Sequence, residues 1–141
     1  MSDQNRLLCR ELSLLAFNRR VLAQAQDARV PLLERLRFLC IVSSNLDEFF
    51  EVRMAWLKRE HKLRPSSRLD NGKTPAETIA AVSAEAHAII QEQYALFNDE
   101  LQPALSREGI HFYRRRNWTP AQRAWIERYF DCELLPILTP I

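Results

Sequence analysis

The chain is poor in glycine, in paired cysteines and in long apolar runs, and each shortage removes a class of protein. Two glycines in 141 residues fall far below the roughly 7% of average usage. Tight-turned β structure is therefore disfavoured, and no glycine-rich phosphate loop can be written around Gly72 or Gly109. Cys9, Cys40 and Cys132 are odd in number, widely spaced and without a CxxC. They read as buried free thiols in a reducing compartment, not as a disulfide or zinc framework. No run approaches the ~18–20 apolar residues of a membrane span. The polar start, Met1–Asn5, carries no apolar signal segment. A soluble, cytoplasmic protein is expected. Its net charge of +2 is too small to argue for nucleic acid.

What the chain does have is helical periodicity. With 47% hydrophobic residues it can bury roughly two thirds of its unfolded surface. A first helix is predicted over Ser13–Gln26, with Ser13 as N-cap and Leu14, Leu15, Phe17, Val21, Leu22 and Ala25 as its apolar face. A second runs from Pro31 to about Arg64 along Leu32, Leu36, Leu39, Ser43, Leu46, Phe50, Met54 and Leu57, a rod of ~50 Å. Ser43 is the one polar member of that seam. The stretch Pro65–Lys73 reads as a loop. Thr74-Pro75-Ala76-Glu77 is a capping box opening a third helix on Ile79, Val82, Ala86, Ile90, Phe97 and Leu101. Pro103 should kink or end that helix early, and Gly109 is its terminator. The predicted fold is all-α, an up-and-down three-helix bundle of spectrin-repeat type.

Beyond Gly109 the pattern changes. Ile110–Arg114 alternates like a short strand, and Thr119-Pro120-Ala121-Gln122 caps a further helix. The apolar run Leu134–Ile141 would lack a burial partner. The expected organisation is a helical domain at 1–106 and a truncated, short α/β piece of a second domain at 107–141.

The block Ser43-Ser44-Asn45-Leu46-Asp47-Glu48-Phe49-Phe50 is the most informative one. A polar trio interrupts an apolar seam, which suggests a helix break. Asn45 then has two readings. It caps a helix restarting at Leu46, with Glu48 completing a capping box. Alternatively its amide, one acceptor and two donors, pairs with the donor–acceptor edge of adenine. Asp47, Glu48 and Glu51 lack a facing element or a third ligand type, so they read as partners of a helix dipole rather than as a metal or acid–base site. Phe50 falls on the seam, Phe49 beside it could reach a base, and Trp56 off the seam suits docking. His61, His87 and His111 show no metal spacing. The cluster Arg114-Arg115-Arg116 could touch a polyanion, though such runs are usually solvated. No catalytic residue and no metal ligand is assigned to this chain.

Taken together, Glu11–Leu22, Pro31–Leu39, Ser43–Phe50 and Val52-Arg53 resemble the N-terminal domain of the bacterial polyphosphate kinases of the first type. Leu135-Pro136-Ile137-Leu138-Thr139-Pro140 is similar to that family's entry into its head domain. Leu14 departs from the pattern, where the family usually has tryptophan. The resemblance implies reversible transfer of the terminal phosphate of ATP to inorganic polyphosphate through a phosphohistidine. The reacting histidine, the magnesium site and the polyphosphate tunnel are implied to lie in later domains, and none of the three histidines here matches the nucleophile. Asn45 matches the asparagine implied to contact adenine, with Phe49 beside it. Implied partners are ATP, polyphosphate, the remaining domains and a second copy in a homo-oligomer, in the cytoplasm or peripheral to the inner membrane. The competing expectation is a non-catalytic docking or oligomerisation module without nucleotide contact.

Overall fold

The computed structural model describes residues 9–138, and among these the chain is helical throughout, with no strand. The polar segment Met1–Asn5 and the last part of the apolar run, Thr139–Ile141, lie outside the described residues. Three helical rods form the body. The first is α1 (Arg10–Gln26). The second joins α2 (Leu32–Glu48) through a π-helical turn at Phe49–Met54 to α3 (Ala55–Leu63). The third joins α4 (Pro75–Ala95) through a π turn at Leu96–Leu101 to α5 (Gln102–Arg107). The helix α4 packs on α3 and the π turn that follows it packs on α2, so the two long rods are antiparallel.

Local chemistry explains the ends. Thr74 N–H donates to Glu77 Oε2 (2.8 Å), and Glu77 N–H returns a bond to Thr74 Oγ1 (3.3 Å), which is a full capping box with Pro75 in the first turn. At the far end of the rod Gly109 takes φ 81°. Its N–H donates to Ser106 O, and the Ile110 N–H donates to Leu105 O, closing a Schellman motif that a side chain at Gly109 would strain. Pro103 does not end the rod. It sits in the first turn of α5, where a missing N–H is tolerated.

The core corrects several expected positions. The second rod buries Leu39, Val42, Leu46, Phe49, Met54 and Leu57. Phe49, not Phe50, is the buried aromatic, while Phe50 packs partly against the core. The step from Phe49 to Met54 is five residues, because Ala55 N–H bonds to Phe50 O across the widened turn. The third rod makes the same step from Leu96 to Leu101, with Gln102 N–H on Phe97 O. On α1 the buried stripe is Glu11, Leu15, Asn18, Leu22 and Ala25, leaving Leu14 and Phe17 exposed. That helix begins at Arg10 with Cys9 as N-cap. Ser13 lies inside it, its Oγ bonded back to Cys9 O (3.0 Å). Each fully buried leucine, such as Leu57 or Leu101, is worth about 1.5–3 kcal/mol.

Ion pairs tie the rods together. Arg19 on α1 holds Glu85 and Glu92 of α4. Arg35 donates from Nε to Ala25 O (2.7 Å) and from Nη2 to Glu100 (2.9 Å), linking all three rods. The thiols differ from expectation, since Cys9 is half-buried and Cys40 and Cys132 are exposed.

The expected α/β piece is absent among the described residues. Ile110–Arg114 is irregular, because no second extended segment offers it a ladder. Phe112 instead packs edge-on against Phe97, with ring centroids 5.6 Å apart. A 3₁₀ turn (Arg115–Asn117) leads to α6 (Pro120–Tyr129), capped by Thr119 and Gln122, which buries none of its residues.

Candidate functional site

Ser43 and Asn45 do not break the helix. Both lie within α2, and the irregular turn comes only at Phe49–Met54. The capping role for Asn45 therefore falls away, because a cap needs a helix end. Ser43 faces α4 and accepts a hydrogen bond from Gln93 Nε2, which explains a polar residue on an apolar seam.

Asn45 is half-buried and its Nδ2 donates to Asn18 Oδ1 (3.1 Å). Asn18, 3% exposed on α1, donates from its own Nδ2 to the Val42 carbonyl (3.2 Å). The order of this relay is forced. A carbonyl only accepts, so Asn18 must turn Nδ2 to Val42 and Oδ1 to Asn45, and Asn45 must answer with Nδ2. What Asn45 keeps free is Oδ1 and one N–H.

These groups line a cleft of about 160 Å³ between α1 and the second rod, bounded by Leu14, Leu15, Asn18, Asn45, Glu48, Phe49, Val52 and Arg53. Pockets that enclose a whole small ligand are usually about 300–1,000 Å³. This one suits a planar fragment. Leu14, Leu15, Phe49 and Val52 give it apolar walls, and Asn18, Asn45, Glu48 and Arg53 give it polar groups. Asn18 was missed by periodicity reasoning, although its sequence signal resembles that of Ser43: a polar residue on the buried stripe between Leu15 and Leu22.

A larger cavity of about 500 Å³ lies next to the cleft and shares Arg53 with it. Arg10, Arg64, Arg68 and Trp56 line it, but so do Glu11, Glu60 and Asp70. Charges of both signs line it, and size alone does not make it the better candidate.

Of the other predicted residues, Phe49 lines the cleft as a buried wall and Trp56 is 43% exposed. Asp47, Glu48 and Glu51 are exposed, with Glu48 on the cleft rim. Arg114, Arg115 and Arg116 are exposed and line neither cavity. His61, His87 and His111 are likewise exposed and away from the cleft. Among the described residues no three His, Cys, Asp or Glu side chains come together to hold an ion. Among the described helices none is long and apolar enough to cross a membrane.

Fold and cleft define a helical-bundle module with a small cleft between α1 and the second rod. Comparison with known proteins gives the kind. The model of the polyphosphate kinase N-terminal domain matches residues 7–113. The chain belongs to that family. It is 77% identical over 141 residues to a polyphosphate kinase of Neisseria meningitidis serogroup A, covering all of this chain and 21% of the relative. Identity to the polyphosphate kinase of Burkholderia multivorans is 50%, over 20% of that protein. The crystal structure of polyphosphate kinase from Porphyromonas gingivalis superposes with a TM-score of 0.70 at 31% identity, over 95% of this chain and 19% of that one. The chain thus spans about a fifth of the length of these relatives.

Proposed function

We propose that this chain is the adenine-side module of a polyphosphate kinase that moves the terminal phosphate of ATP, reversibly, onto inorganic polyphosphate. The observation that carries this reading is the amide of Asn45, held by Asn18 and lining a cleft of about 160 Å³. Asn45 reads the adenine edge and Phe49 forms the apolar wall beneath it. Phosphoryl transfer is mostly positioning plus charge stabilisation. A base contact contributes positioning alone, so the phosphohistidine and the magnesium chemistry belong to the rest of the enzyme.

The chain divides near Arg107 in this reading, with 1–106 as the helical domain and 107–141 leading into the head domain. Exposure of Trp125, Tyr129, Phe130 and Leu135 supports the division, since these side chains have little to pack on within the described residues. Arg114–Arg116 stay a solvated turn. In a full-length polyphosphate kinase carrying this chain, Asn45→Ala should raise the KM for ATP about tenfold while kcat changes little, as expected for a lost base pairing of ~1–2 kcal/mol. An unchanged KM would count against the site.

A further inference from the structure

We infer that Asn18 is a specificity-setting positioning residue, which fixes the direction in which Asn45 reads a purine and so separates 6-amino from 6-oxo bases. The inference rests on the adenine reading of Asn45.

A free asparagine amide is ambivalent. Rotated by half a turn about its last bond it exchanges donor and acceptor at almost no cost, since oxygen and nitrogen occupy similar space. Adenine offers a donor at its 6-amino group beside an acceptor at N1. A 6-oxo purine offers an acceptor at O6 beside a donor at N1–H. The two edges are opposite in sense, so an amide free to turn over would pair with either. The rest of the nucleotide fixes which way the edge runs, and discrimination then requires the amide to be fixed as well.

Asn18 supplies that constraint. Were Asn45 to turn over, its Oδ1 would face Asn18 Oδ1, two acceptors at the present 3.1 Å. Asn18 cannot turn to accommodate it, because its own oxygen would then face the Val42 carbonyl at 3.2 Å. Asn18 is only 3% exposed, so its amide has little solvent to turn to instead. The Val42 carbonyl belongs to the backbone of α2 and cannot rotate, so it is the fixed end of the relay. Asn18 also borders the cleft, but its Nδ2 and Oδ1 are engaged by Val42 and Asn45, so it acts through Asn45.

The test compares ATP with inosine triphosphate, which differs only in the 6-oxo group and the N1–H, as substrates of a full-length polyphosphate kinase carrying this chain. The unsubstituted enzyme should prefer ATP in kcat/KM by on the order of tenfold or more. In Asn18→Leu the amide is released, and the preference should fall to within about threefold, chiefly because inosine triphosphate is used better. In Asn18→Asp a protonated carboxyl donates its O–H to the Val42 carbonyl and offers its other oxygen to Asn45, so Asn45 still turns Nδ2 inward and the preference should persist. A stability loss alone would lower both activities together and leave their ratio unmoved. If Asn45→Ala abolishes the preference while Asn18→Leu retains it, the positioning role is overturned and the adenine site stands. Loss of preference in Asn18→Asp, or no preference in the unsubstituted enzyme, also overturns it. If Asn45→Ala alters neither the KM for ATP nor the ratio, the adenine reading itself has failed.

Discussion

Gln93 on α4 donates from Nε2 to Ser43 Oγ on α2, across the middle of the bundle. The bond gives the polar member of an otherwise apolar seam a structural duty and fixes the register of the two antiparallel rods. Ser43→Ala leaves the Gln93 amide without this partner and should cost about 1 kcal/mol. Thermal melting should fall by roughly 3 °C in a domain of this size. The double variant Ser43→Ala, Gln93→Ala should be less costly than the two single effects added together, and strict additivity in the cycle would show that the bond has no energetic role.

The five-residue step across the π turn makes a second prediction. Phe49→Ala should destabilise by about 3–5 kcal/mol, as for a buried aromatic. Phe50→Ala should cost less than half as much, since Phe50 is only partly buried. Denaturant titration of both variants settles the order, and the reverse order would restore the unbroken three- and four-residue seam.

That seam shows where the sequence was readable. The three rods, the Thr74 capping box and the Gly109 terminator follow from side-chain chemistry within four residues, and all are present. The π turns are not local in this sense. Each inserts one residue, a rotation of roughly 100°, and only packing against the facing rod selects it. Reading α2 with a strict helical period therefore put Phe50 where Phe49 belongs. Asn18 was hidden for the same reason, because its value lies in Val42 and Asn45, 24 and 27 positions away. The strand expected at Ile110–Arg114 failed because alternation specifies a face, not a partner.

Acid stability gives a third prediction. Asp27 accepts hydrogen bonds from the guanidinium and the backbone N–H of Arg29, and its carboxyl is held down at about 2. A carboxyl lowered in the folded state contributes stability that is complete above its ordinary value near 4 and disappears as pH falls through about 2. Asp27→Asn should therefore flatten the decline of stability between about pH 4 and pH 2, measured by denaturant midpoints, with little pH-dependent difference at neutrality. An unchanged slope would mean that the pair forms no tighter in the folded chain than in the unfolded one.

A fourth prediction concerns catalysis. The isolated 141-residue chain should take up no phosphate from ATP, because His61, His87 and His111 are exposed and none lines the cleft. Radiolabel from the terminal phosphate appearing on any of them would place the phosphohistidine here after all.

The most direct test of the account is the equilibrium dissociation constant for ATP in a full-length polyphosphate kinase carrying this chain, measured with and without Asn45→Ala. Tripolyphosphate, which has no base, serves as the reference ligand. The account predicts ATP binding weakened about tenfold, with tripolyphosphate affinity unchanged. Equal ATP affinity in the two proteins, or an equal loss for both ligands, would contradict it.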